Sequence, residues 1–126
     1  PAPDAAVFLL SELQLPVTAE DIALATNKDK QLATIKDWVQ RGWPRDIPND
    51  FKAFKCRQTE LNVLKGCVLW GSRVVIPQVF RSHIIDVLHE GHPGINQMKA
   101  LARSYVWWPG LDEAVTNKVQ MCHTCQ

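Results

Sequence analysis

The sequence predicts an α+β fold: N-terminal helices, a small three-stranded antiparallel sheet, then a three-helix bundle. Three observations predict it. Apolar residues recur at helical spacing over 28–40, with Leu32, Ile35 and Val39 on one face and Trp38 beside them. Three β-prone runs follow, Leu61–Leu64, Cys67–Trp70 and Arg73–Ile76, joined by the two-residue links Lys65-Gly66 and Gly71-Ser72. Such short Gly-containing links are hairpin signals. After Pro77 the helical period returns and persists to the end.

The 126 residues are 46% hydrophobic and 21% charged, which suits one ordinary domain or two small ones and argues against a disordered chain. No apolar run approaches the ~18–20 residues of a membrane span. The run Val7–Leu10 lacks the length and basic flank of a signal peptide. The first residue is Pro1 rather than Met, so the stretch reads as part of something longer.

Taken in order, residues 1–16 have no clear period and read as a linker or docked arm. Thr18, with Glu20 and Asp21 behind it, starts a short helix to about Thr26. A second helix is stopped by Gly42 and Pro44. Asn49 caps a further turn through Phe51 and Phe54. Residues 17–77 thus form one unit of helices plus meander, and 78–126 a second.

At the boundary Pro77 takes the first helical position, ahead of Phe80, Ile84, Val87 and Leu88 of the second unit. Gly91 and Pro93 end this helix. The next carries Ile95, Met98, Leu101, Ala102 and Tyr105. Trp107-Trp108-Pro109-Gly110 reads as a turn, and Leu111, Val115 and Val119 mark the last helix. Trp38, Trp43 and Trp70 are assigned to the core joining helices to sheet, and Trp107 and Trp108 to a core or an interface rather than to base stacking.

Charge is uneven. Residues 1–50 hold five basic and eight acidic residues, net −3; residues 51–126 hold nine and five, net +4. Most of the excess lies in 51–83, where six basic residues face only Glu60. This is a modest basic middle, short of the footprint of a dedicated DNA-binding domain.

The strongest chemical signal is His89-x2-His92-x29-Cys122-x2-Cys125. Imidazole and thiolate suit zinc, which favours four tetrahedral ligands. Four protein ligands leave no position for water, so the site reads as structural and holds one Zn2+. Residues 80–126 alone are too few for a robust core. Structural zinc contributes ~10–16 kcal/mol of apparent binding free energy in small finger peptides. A Cys122–Cys125 redox pair would sit near a βαβ pattern, which is absent. His83 is a rival ligand by spacing, though it reads better as a partly buried helix residue. His123 sits inside the knuckle. Cys56 and Cys67 read as small core residues.

The string from Leu88 to Gln126 resembles the His-His-Cys-Cys zinc domain of integrases from gypsy-type LTR retrotransposons. The residues that carry the likeness are Leu88-His89, Gly91-His92-Pro93-Gly94, Trp107-Trp108-Pro109-Gly110 and Cys122 to Gln126. Histidines before cysteines is the reverse of the DNA-reading finger. A weaker likeness runs upstream through Leu15–Ile22, Gly42-Trp43-Pro44 and Gly66–Gly71, where such integrases carry an extension domain of helix and sheet. The two-residue His-His gap is shorter than the retroviral three, so the local turn differs.

The resemblance implies 3′-end processing and strand transfer by a core of three acidic residues and two metal ions, expected beyond Gln126. No catalysis is expected of this stretch: Asp112 and Glu113 only favour a helix N-terminus, and no Ser/His/Asp set or Gly-rich phosphate loop is present. The expected role is multimerisation with itself and the integrase catalytic core, and contact with element-end DNA in the nucleus. The DNA candidates are Lys52, Lys55, Arg57, Lys65, Arg73, Lys99 and Arg103. The alternatives are a protein-interaction module in a domesticated host protein and a standalone nucleic-acid binder. The near-neutral zinc segment argues against the second of these.

Overall fold

The computed structural model describes residues 17–90 and 94–122. The elements run α1 (Ala19–Lys28), α2 (Lys30–Arg41), a 3-10 turn (Asn49–Phe51), α3 (Lys52–Lys55), a second 3-10 turn (Gln58–Glu60), β1 (Leu61–Leu64), β2 (Cys67–Trp70), β3 (Arg73–Val75), α4 (Gln78–His89), α5 (Ile95–Tyr105), β4 (Val106–Trp107) and α6 (Leu111–Gln120). The fold class is α+β, as the sequence predicts. The expected linker over residues 1–16 lies outside the described residues.

The helices start where side chains can satisfy their first amides. Thr18 forms a full capping box with Asp21: its hydroxyl accepts from the Asp21 amide at 3.1 Å, and its own amide donates to Oδ2 at 3.0 Å. Asp29 sits between α1 and α2 and serves two helices. Its Oδ1 accepts from Leu32 N at 3.0 Å, capping α2, and its Oδ2 accepts from Gln78 N at 3.0 Å, capping α4 from forty-nine residues away. Pro77 therefore stands just outside α4, one position earlier than expected, because a carboxylate from elsewhere fixes Gln78 as the first helical residue.

The sheet has four strands in the order β1-β2-β3-β4. The meander forms as expected. Lys65 (φ 52°) and Gly66 (φ 83°) both lie in the left-handed region, which is what a two-residue turn matched to strand twist requires. The fourth strand differs from expectation. Val106-Trp107 pairs parallel with Val74-Val75, and Ile76 N donates to Trp107 O at 3.1 Å. A two-residue strand followed by Pro-Gly has no period of its own; its partner, not its sequence, makes it a strand.

Both faces of this sheet are covered. One core gathers Cys67, Leu69, Val74, Ile76 and Val106 with Ile22 of α1, Ile84 and Leu88 of α4, Met98 of α5, and Val115 and Val119 of α6. The other gathers Leu61, Val68, Val75 and Trp107 with Leu32 and Ile35 of α2 and Phe54 of α3. Alternate strand residues thus serve opposite helical layers. Residues on either side of Pro77 share the first core.

Some side chains depart from the sequence reading. Cys56 is exposed while Cys67 is fully buried. Leu101 is on the surface edge of α5 rather than in the core. His83 is exposed, not partly buried.

Losing the Asp29 carboxylate removes two caps, so Asp29→Ala is expected to cost about 2 kcal/mol and Thr18→Ala about 1 kcal/mol. Denaturant unfolding curves check this. Equal losses would mean the bond to Gln78 contributes nothing.

Candidate metal centre and basic cavity

Two of the four predicted ligands lie among the described residues. His89 is the last residue of α4, and Cys122 follows the end of α6. Both helices bury their apolar faces in the same core, and a surface ion pair joins them near these ends. Lys118 Nζ meets Asp86 Oδ1 at 2.8 Å. Asp86 is one turn before His89, and Lys118 one turn before Cys122. The hydrogen bond to Asp86 and its charge hold the Lys118 ammonium above its usual range, with a smaller contribution from Cys122. His92 and Cys125 lie outside the described residues, as does His123. Among the described residues no three His, Cys, Asp or Glu side chains converge on a metal.

The donor chemistry fits zinc. A helix-end imidazole and a helix-end thiol, brought to one end of the bundle, are the two donor types that zinc prefers. His83, the rival by spacing, faces solvent six residues before the end of α4.

The seven predicted DNA contacts do not form one surface. Lys52 and Lys55 are on α3; Lys55 donates to Gln58 Oε1 at 3.0 Å and lies 5.4 Å from the Trp43 ring centroid. Lys65 is on the β1–β2 turn, at the opposite end of β2 from Arg73. Lys99 and Arg103 are one turn apart on α5.

Three of the seven do meet. Arg57, Arg73 and Arg103 line one cavity of about 370 Å3 with Trp70, Trp107 and the first turn of α6. The Arg57 guanidinium lies 4.6 Å from the Trp70 ring centroid and 4.5 Å from that of Trp107. Arg73 lies 4.6 Å from Trp70. Arg57 Nη1 also donates to Ala53 O at 2.7 Å, and Arg73 Nε to Arg103 O. Arg103 pairs with Asp112 at 2.6 Å, which together with the hydrogen bond it makes raises the guanidinium's affinity for its proton.

Arg57 Nε and Trp70 Nε1 are buried and find no acceptor among the described residues. An unmet buried donor costs about 1–3 kcal/mol. Trp107 and Trp108 are only 8% and 3% exposed, so they are core residues, and Trp107 edges onto Phe54 at 5.3 Å between ring centroids. The convergence of 57, 73 and 103 was not legible in their spacing. The only sequence signal was a surplus of cations beside tryptophans.

Arg81 behaves differently from these. Its Nε donates to Ile76 O at 2.9 Å, and burial lowers its proton affinity. It is a packed cation beside Trp108 rather than a surface one.

Residues 76–126 match the family described as the integrase zinc binding domain. Over 113 residues the chain is 37% identical to a Caenorhabditis elegans protein called Uncharacterized protein K02A2.6. That match covers 88% of this chain and 9% of the worm protein, so the chain spans about a tenth of the relative's length. No solved structure matches. Among the described residues no helix is long and apolar enough to cross a membrane.

Burial raises the Cys67 thiol above its usual range, whereas Cys56 is exposed. A brief pulse of iodoacetamide on native protein is expected to label Cys56 and leave Cys67 unmodified, as read by peptide mass spectrometry. Equal labelling would mean the β2 core opens freely.

Proposed function

We propose that this chain, which belongs to the integrase zinc binding domain family through residues 76–126, is the non-catalytic N-terminal region of a retrotransposon-type integrase. His89, His92, Cys122 and Cys125 would hold one zinc ion, whose part when bound is to staple the fold. The observation that carries this is the Lys118–Asp86 contact, which joins α4 and α6 one turn before their donor-bearing ends. α4 delivers His89 and α6 delivers Cys122, with the Lys118–Asp86 pair one turn behind both.

The residues do complementary work. Ile84, Leu88, Val115 and Val119 press α4 and α6 into one core, so the helix ends are positioned by packing as well as by the metal. Lys118 and Asp86 cancel each other's charge, leaving the local field to the ligands. Two thiolates balance a divalent cation, so the occupied centre is close to neutral. The centre is a joint, and the polar work of the region falls to the basic residues.

Those residues are the proposed contacts to element-end DNA. Lys52 is exposed on α3, Lys65 on the hairpin turn, and Lys99 and Arg103 follow one face of α5. Charges of this kind contact phosphates and position the duplex without reading its sequence. Self-association and docking to the catalytic core complete the proposed role. Within the larger enzyme this region holds and orients, and the chemistry belongs to the acidic core.

Purified protein is expected to carry one zinc per chain, and a chelator is expected to lower its helical circular dichroism. Cys122→Ser and His89→Ala are each expected to lose the metal. Metal-free protein with a spectrum indifferent to chelator would overturn the zinc reading. DNA affinity is expected to fall with salt, with a log–log slope of roughly −0.9 for each phosphate contacted. Affinity indifferent to salt would remove the DNA role.

A further inference from the structure

We propose that the cavity between β2, β4 and the start of α6 is a phosphate pocket, with Arg57 and Arg73 as its recognising cations. This rests on the nucleic-acid reading above and gives it a specific seat.

The argument begins with how the guanidiniums are held. The Arg57 guanidinium lies over the Trp70 and Trp107 rings, which meet each other at 63°, and that of Arg73 lies over Trp70. Aromatic contact engages the face of a guanidinium rather than its N–H edge, and the backbone bonds of Arg57 Nη1 and Arg73 Nε leave further N–H groups on each edge for a partner. That edge is a fork matched to the oxygens of phosphate. The rings also fix each fork before anything binds, so little rotamer freedom is lost on binding.

Next is what the forks lack. Arg103 has Asp112. Arg57 and Arg73 have no carboxylate partner among the described residues; their bonds run to the backbone carbonyls of Ala53 and Arg103. Arg57 Nε and Trp70 Nε1 find no acceptor there either. The wall therefore holds donors in excess of acceptors.

The third element is the start of α6. Gly110 caps it with a left-handed backbone and no side-chain acceptor. Leu111 N donates to Trp108 O at 3.1 Å, the Asp112 and Glu113 amides have no intrahelical partner, and the positive end of the helix lies on the same cavity. Asp112 and Glu113 also line it and oppose an anion. Asp112 is already engaged by Arg103, so among the described residues two unpaired cations, Arg57 and Arg73, stand against the one remaining carboxylate, Glu113. A volume of about 370 Å3 lies at the lower end of small-ligand sites. That is room for a phosphate with its sugar, to which a duplex would offer a protruding backbone phosphate.

The source of the phosphate is a duplex backbone or the end of a single strand, and the test separates them. Zinc-loaded chain is titrated with inorganic phosphate, a 5′-phosphorylated single-stranded oligonucleotide and a blunt duplex, reading tryptophan fluorescence, since Trp70 and Trp107 form the wall. Saturable quenching is expected, with Arg73→Gln and Arg57→Gln weakening it about tenfold. Arg73→Lys, which keeps the charge and loses the fork, is expected to weaken it several-fold. Lys28→Gln removes a charge from α1, away from the cavity, and is expected to leave it unchanged. Circular dichroism and zinc content confirm that each variant is folded.

Tighter binding of the 5′-phosphorylated strand than of the duplex assigns the pocket to a strand end; the reverse assigns it to the duplex backbone. If wild type binds DNA and both arginine variants bind as Lys28→Gln does, the pocket is wrong and the DNA reading stands. If phosphate quenches in an Arg73-dependent way and neither DNA binds, the pocket stands and the DNA reading is wrong. If no probe binds wild type, both are wrong.

Discussion

A sheet with helices on both faces is the constraint from which the rest of this molecule follows. Each residue of β2 and β3 must serve one layer or the other, which is why these strands read as nearly unbroken apolar runs: Cys67-Val68-Leu69 and Val74-Val75-Ile76. With period-two alternation, Val68 and Val75 fall to the layer of α2 and α3. Cys67, Leu69, Val74 and Ile76 fall to the layer of α1 and α4–α6. Shifting the register by one residue would exchange the two cores at once. The Lys65-Gly66 turn and the parallel ladder to β4 hold that register from opposite edges.

What was legible in the sequence was what neighbours in the chain decide. The Thr18 cap, the hairpin turn at Lys65-Gly66 and the buried stripe Leu111, Val115, Val119 all depend on residues within a few positions. What was not legible depends on distant partners. Trp107 is a strand residue only because Val75 lies beside it. Asp29 looks like an ordinary cap for α2, and its second oxygen's bond to Gln78 appears only in three dimensions. Cys56 looks as apolar as Cys67, yet sits at the exposed end of α3, where burial stops.

The candidate centres divide along the same line. Metal donors announce themselves by spacing, because a knuckle is a local structure; the four-residue set is a proposal from the pattern, of which His89 and Cys122 fall at the ends of α4 and α6. The arginines at 57, 73 and 103 have no such pattern. They are assembled by a loop before β1, the start of β3 and the end of α5, three places the sheet happens to bring together. A list of basic residues overestimates how many act jointly: Lys65 lies at the far end of the hairpin from Arg73, while Arg81 is turned into the protein.

The β3–β4 ladder also bears on the order in which the chain can fold. Val74 and Val106 pair directly, yet α4 and α5 lie between them in the chain. The β1–β2 hairpin can close across two residues within microseconds, whereas this parallel pair must wait for two helices to form and dock. Contacts that form last, after the rate-limiting step, act mainly on how fast the native state comes apart. On that ordering, two residues at the rim of the sheet would act as a latch, weighing less on the start of folding than on the lifetime of the folded chain.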